Sequence, residues 1–156
     1  QPRSRGLGDV YKRQVQGIEN DKILLVEDYE INMEIARFVL ENEGAQVQEA
    51  WNGKEAVDLF AASEPGGYDV ILMDLMMPVM GGLEAAQCIR KLEREDAKTV
   101  PIIAMTANAF ADDEERSLAA GMDAHISKPL DAEKLIQVIS DICKKRKEHA
   151  KGDADI

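Results

Sequence analysis

From Asp21 onward, short apolar runs alternate with longer stretches whose apolar residues recur at helical spacing. The runs fall at about 22–26, 70–73, 102–105 and 124–127, and a more polar strand is expected over about 46–50. Runs of this length, bounded by turn residues, predict strands, and the most apolar ones predict strands covered on both faces. The stretches between them predict helices over about 32–43, 53–62, 83–93 and 112–120, and a last one starting at Asp131. Gly44 and Gly121 stand where C-caps are needed, Pro65-Gly66-Gly67 closes the second helix, and Asp131 is a good N-cap. In the first helix, Ile35, Phe38, Val39 and Asn42 are expected to share one face. In the last, Leu135, Ile136, Ile139, Ile142 and Cys143 follow the same spacing. Five βα units predict an α/β protein: a doubly wound, five-stranded parallel sheet with helices on both faces, because crossovers are right-handed.

The ends of these runs carry the chemistry. Ile23-Leu24-Leu25-Val26 ends in Glu27-Asp28, and Val70-Ile71-Leu72-Met73 ends in Asp74. Ile102-Ile103-Ala104-Met105 ends in Thr106, and Ala124-His125-Ile126-Ser127 ends in Lys128-Pro129. Ligands of open α/β sheets bind outside the carboxyl ends of the strands. Three carboxylates, a hydroxyl and an ammonium are therefore delivered to one sheet edge. That set suits a divalent metal, a phosphoryl group and a nucleophilic aspartate. Singly, each residue has a plainer reading: a solvated loop Asp, a surface Lys, or a β-branched Thr chosen for packing.

Composition narrows the classes. The 156 residues suffice for one domain with a core, which must be aliphatic and Met-rich because aromatics are few. No apolar run is long enough to span a bilayer and no secretory signal is visible, so a cytoplasmic protein without direct membrane contact is expected. Cys88 and Cys143 lie in predicted helices without metal-site spacing and read as reduced core residues. The formal net charge is −11; residues 1–14 carry +3, leaving −14 on the remainder, which argues against nucleic acid as a partner. The basic run Lys144-Lys145-Arg146-Lys147 reads as a helix C-terminus favoured by its dipole. Residues 1–14 (QPRSRGLGDVYKRQ) show no periodicity, and 9–14 resemble one reading frame of a transposon-end adaptor. The expected organisation is a non-native or disordered leader over 1–20, one domain over 21–145 and a polar tail over 146–156.

The segments VEDYEIN, MDLMMP, MTAN and SKPL resemble the response-regulator receiver domain, most of all receivers of hybrid histidine kinases. Asp28, Asp74, Thr106 and Lys128 follow one another at separations of 46, 32 and 22 residues. The resemblance spans about 21–145. It implies a flavodoxin-like (βα)5 fold of strand order 2-1-3-4-5, a phosphorelay function, and a self-catalysed phosphoacceptor rather than an enzyme. Asp74 is then the phosphoacceptor, taking its phosphoryl group from a histidine kinase or a histidine phosphotransfer domain. Glu27, Asp28, Asp74 and the backbone carbonyl of Met76 serve Mg²⁺, with Mn²⁺ as a substitute. Clustered acids repel, and a cation relieves them. Lys128 supplies charge to the phosphoryl oxygens, the Lys128-Pro129 peptide is a cis candidate, and Thr106 donates its hydroxyl once the phosphoryl group is present. The first helix and the loops beside the acids dock the histidine-bearing partner. Helix four, strand five and helix five form the output or homodimer face.

Some positions depart from the family pattern. His125 stands where Tyr or Phe is usual, and reads either as a pH-sensitive switch coupled to Thr106 or as a histidine without a role. Gly81 replaces a common Asp before Gly82. Met76 and Asn108 lie where receivers tune attack by water, and a thioether cannot orient that water, so a long-lived phosphoryl state is expected. Three other readings compete. A haloacid-dehalogenase-type Mg²⁺-dependent phosphatase would need an acid at Met76. A flavodoxin-like electron carrier would need a phosphate loop where Glu27-Asp28 stand. A degenerate, binding-only receiver would not need the full acidic set. The context is either the C-terminal receiver of a hybrid sensor kinase, tethered to the inner membrane through its upstream part, or a free single-domain regulator.

Overall fold

A computed structural model describes residues 18–77, 79–106, 111–128 and 130–154, with side chains omitted for 111–114 and from 146 onward. Five strands, β1 (Lys22–Val26), β2 (Gln46–Ala50), β3 (Val70–Asp74), β4 (Ile102–Thr106) and β5 (Ala124–Ser127), form one parallel sheet of order β2-β1-β3-β4-β5. The helices are α1 (Glu30–Asn42), α2 (Gly53–Ala62), α3 (Gly82–Arg90), α4 (Ala111–Ala119) and α5 (Ala132–Ala154), with an additional single turn at Glu95–Thr99. The sheet's two faces bury separate cores. Leu24, Val26, Ile71, Met73, Ile102 and Ala104 meet Phe60, Ala85 and Ile89 of α2 and α3. Ile23, Leu25, Val70, Leu72, Ile103 and Met105 meet Met33 and Leu40 of α1 and Leu135 and Ile139 of α5. Strict alternation along each strand sends consecutive side chains to opposite cores, which is why these strands are apolar throughout.

The structure corrects the expected inward face of the first helix and adds detail at three other places. The inward face of α1 is Met33, Ala36 and Leu40, not Ile35, Phe38, Val39 and Asn42. Ile35 and Phe38 are 52% and 72% exposed, with Val39 partly buried. Ile18 is fully buried and Asn20 N–H donates to Gly44 O at 2.9 Å, so the residues just ahead of β1 pack against the sheet's flank. Helix α5 runs to Ala154. Lys, Arg, Glu and Ala there are good helix formers with no early stop signal. The turn Glu95–Thr99 went unpredicted because it has only Ala97 to bury. Arg94 holds it: the guanidinium pairs with Asp96 at 2.6 and 2.7 Å, donates to Phe60 O and Ser63 O, and stacks 4.8 Å from the Phe60 ring centre. Arg94 thereby satisfies carbonyls at the end of α2. Residues 1–14, Ala107, Asn108 and Pro129 lie outside the described residues.

Candidate active site at the carboxyl edge of the sheet

The order 2-1-3 makes β1 and β3 neighbours, and register pairs Val26 with Met73. The next residues, Glu27 and Asp74, therefore lie side by side. β4 adds Thr106, which pairs with Ser127 of β5, and Lys128 N–H donates to Thr106 O at 2.7 Å. Alternation selects which side chains meet. Glu27, Asp74 and Lys128 continue the parity of Leu25, Leu72 and Ile126, all of which face the α1/α5 core. Thr106 has the opposite parity. The contacts follow this division: Lys128 Nζ lies 2.8 Å from Glu27 Oε2 and 3.1 Å from Asp74 Oδ2.

Glu27, Asp74 and Thr106 are buried, whereas Asp28 is exposed. Glu27, Asp28 and Asp74 each offer a carboxylate oxygen, and the three oxygens lie within 4.8 Å of one another. Asp74 Oδ1 accepts from Met76 N–H at 3.2 Å, and Glu27 Oε1 accepts from Tyr29 N–H at 3.3 Å. Burial strips water from Asp74 and Glu27 adds repulsion, so the Asp74 carboxyl is held above the usual range although Lys128 offsets part of the rise. Burial also opposes the charge on Lys128, but the two carboxylates outweigh it and keep the ammonium above the ordinary lysine value. The donor set fits a hard divalent cation: clustered oxygens carrying excess negative charge, one arm open to solvent.

Thr106 Oγ1 is buried with no hydrogen-bond partner among the described residues. A buried hydroxyl left so costs about 1–3 kcal/mol, and an incoming oxygen acceptor at this edge would relieve that cost. The loop after Asp74 is tied down at both ends. Gly82 N–H donates to Leu75 O at 3.1 Å and Gly53 N–H donates to Met80 O at 3.0 Å. Between these ties Val79 adopts φ +69°, and Met76 and Val79 project into solvent. His125 is half-buried opposite Ala104, with the parity of Thr106 rather than of Ile126.

The sequence thus named the residues that meet: Glu27, Asp28, Asp74 and Lys128 converge, with Thr106 and Met76 beside them. It named α1 beside them but missed which of its residues are exposed. Ile31, Ile35 and Phe38 form an exposed apolar stripe along α1, and Tyr29 and Trp51 are exposed at loops leaving β1 and β2. The signal was present as two apolar faces on one helix, of which the core can take only one.

Comparison with known proteins agrees with this geometry. Residues 23–140 match the response regulator receiver domain family. Hybrid signal transduction histidine kinase I of Dictyostelium discoideum is 38% identical over 126 residues, covering 79% of this chain and 7% of that protein. The aerobic respiration control sensor protein ArcB of Escherichia coli K12 is 42% identical over 118 residues, covering 75% of this chain and 14% of that protein. The chain therefore spans only a small part of these relatives. The receiver domain of the sensor histidine kinase PA1611 from Pseudomonas aeruginosa, solved with magnesium in its active-site cleft, superposes with a TM-score of 0.73 at 35% identity, covering 80% of this chain and 98% of that one. The Saccharomyces cerevisiae Ssk1 receiver, solved with the histidine phosphotransfer protein Ypd1, gives 0.70 at 29% identity, covering 80% and 89%. With residues 23–140 matching the family and the 2-1-3-4-5 sheet agreeing with its solved members, this chain belongs to the response-regulator receiver domain family of two-component phosphorelays.

Proposed function

We propose that Asp74 accepts a phosphoryl group from a phosphohistidine on a histidine kinase or histidine phosphotransfer partner, with Mg²⁺ held by Glu27, Asp28, Asp74 and the Met76 carbonyl. One observation carries this reading. Asp74, 4% exposed, is clamped between Lys128 at 3.1 Å and a neighbouring acid pair whose oxygens lie within 4.8 Å. Bound there, the cation supplies charge neutralisation for phosphoryl oxygens; Mn²⁺ has the same preference for hard oxygen donors. Asp74 carboxylate forms the new P–O bond as the P–N bond breaks, and the electron pair returns to the partner's imidazole. Lys128 holds the acceptor in place and faces the incoming negative charge. The Thr106 hydroxyl, without a partner among the described residues, donates to a phosphoryl oxygen, and this new bond draws β4 and its following loop inward. His125, two residues from the Ser127 that pairs with Thr106, follows that movement as the switch. The output or homodimer surface is α4-β5-α5, where Leu118 is 62% exposed.

The partner docks on the α1 stripe and the loops beside it. The chemistry is self-catalysed acceptance followed by slow autodephosphorylation, since Met76 presents a thioether where an acid would be needed to activate water. That substitution also disfavours the phosphatase reading. None of the described helices is long and apolar enough to cross a membrane. The proposed location is the cytoplasm, reached as a free regulator or through an upstream sensor that tethers it to the inner membrane.

The test is incubation with acetyl phosphate and Mg²⁺. One acid-stable, hydroxylamine-labile phosphoryl group per chain is expected, lost with Asp74→Ala. Equal labelling of Asp74→Ala, or turnover of a phosphatase substrate, would overturn the assignment.

A further inference from the structure

The chain has seven methionines, and all are among the described residues. Met33, Met73, Met105 and Met122 are buried in the two cores, and Met77 and Met80 are partly buried against one of them. Met76 alone is open, 78% exposed. It lies two residues after Asp74, and its own N–H bonds Asp74 Oδ1 at 3.2 Å. Val79, three residues on, is equally exposed, so this stretch offers water an apolar surface beside the acid pocket.

We propose that Met76 is a peroxide-sensitive modification site, and that its oxidation shortens the phosphorylated state of Asp74. The inference rests on Asp74 being the phosphoacceptor. The reaction is a two-electron oxygen transfer from hydrogen peroxide: the thioether sulfur gains an S–O bond, the peroxide O–O bond breaks, and one water leaves. The product is methionine sulfoxide. Accessibility selects Met76 over the six methionines packed in or against the cores. The same exposure makes the change tolerable. Sulfoxide in a core would break packing, whereas Met76 packs against neither core and can become polar without cost to the fold. The change is consequential because of position. A thioether holds water poorly, but a sulfoxide oxygen is a strong acceptor. On an arm two residues from the acyl phosphate it can hold a water for attack on phosphorus. Oxidants would thereby discharge the signal without touching Asp74, Thr106 or Lys128.

The experiment treats the full chain with graded hydrogen peroxide, then with dithiothreitol to reverse oxidation at Cys88 and Cys143. Sulfoxides are located by peptide mass spectrometry. The chain is then charged with acetyl phosphate and Mg²⁺, the donor is removed, and loss of the phosphoryl group is timed. Met76 should oxidise before any other methionine, the label should be lost several-fold faster, and methionine sulfoxide reductase should restore the original lifetime. Met76→Leu should have a lifetime that peroxide does not change, and Met76→Gln should shorten it without peroxide. Oxidation of a buried methionine ahead of Met76, or an unchanged lifetime at full Met76 oxidation, would overturn the proposal. So would an equal peroxide response in Met76→Leu. A chain that takes no label untreated overturns the phosphoacceptor reading itself; a chain that takes label and ignores Met76 oxidation overturns only this inference.

Discussion

A Cβ atom on Gly82 would stand 2.3 Å from the main-chain oxygen of Asp74. No side chain fits there, because the start of α3 is seated directly on the end of β3. The same contact turns the loop back so that Met76 N–H reaches Asp74 Oδ1. Gly82→Ala must push backbone against backbone. A loss of about 2–4 kcal/mol is expected, measured by urea unfolding, together with weaker Mg²⁺ binding because the loop that carries Met76 moves.

The raised ionisation of Asp74 sets a pH dependence. Its folded value lies above the unfolded one, so its contribution to stability is fully present below the ordinary carboxyl range and is lost as pH rises through the raised value. At neutral pH the ionised group therefore costs the fold. Asp74→Asn should be more stable than the parent at pH 7, by on the order of 1 kcal/mol, and the gap should close as the solution is made acidic. Thermal unfolding at several pH values would show it. A variant less stable than the parent at pH 7 would mean that the Lys128 contact dominates.

Magnesium should raise the melting temperature of the parent, because an ion bound only by the folded chain shifts the equilibrium. Protons compete for the Asp74 carboxylate, so the effect should fade as pH drops toward acid, beginning above the ordinary carboxyl range. Asp28→Asn, which removes the exposed arm of the cluster, should abolish most of the shift while the metal-free melting temperature moves little. Trp51, the chain's single tryptophan, follows Ala50, whose carbonyl accepts from Glu27 N–H, and its fluorescence gives a second readout.

Arg94 offers a control far from the chemistry. It binds both oxygens of Asp96 and three carbonyls at the end of α2, on the side of the sheet away from the acids. Arg94→Ala should cost about 2–3 kcal/mol, with Mg²⁺ affinity and phosphoryl uptake unchanged. Asp96 is held below the usual carboxylate range, first by its hydrogen bonds from Arg94. Its stabilisation is present above the ordinary value and disappears as pH falls through the lowered one. The gap between the variant and the parent should therefore narrow in strong acid, leaving the share carried by the carbonyl and Phe60 contacts.

Ile35 and Phe38 project from α1 into solvent, so their replacement should leave stability within about 0.5 kcal/mol. Ile35→Ala with Phe38→Ala should slow phosphoryl transfer from a histidine phosphotransfer protein by tenfold or more, about 1.4 kcal/mol. Uptake from acetyl phosphate should be unaffected. Equal loss with both donors would remove α1 from the docking surface.

The parts legible in the sequence are those governed by local rules. Strands β2 and β5 and helix α2 fall at their expected bounds because turn residues and apolar runs mark both ends. The identities of Glu27, Asp28, Asp74, Thr106 and Lys128 follow from strand ends alone. Other features depend on what a segment packs against. Both 33/36/40 and 31/35/38 satisfy a helical period on α1, and only the α1–sheet contact decides that the first goes inward. The turn Glu95–Thr99 exists because Arg94 meets Asp96 and the end of α2, a relation across 34 positions. Periodicity reports that a segment has an apolar face, since that is a property of bond geometry along one chain. It cannot report which face is covered, how Lys128 reaches Glu27 and Asp74, or that Thr106 finds no partner among the described residues, because those follow from register between strands distant in sequence.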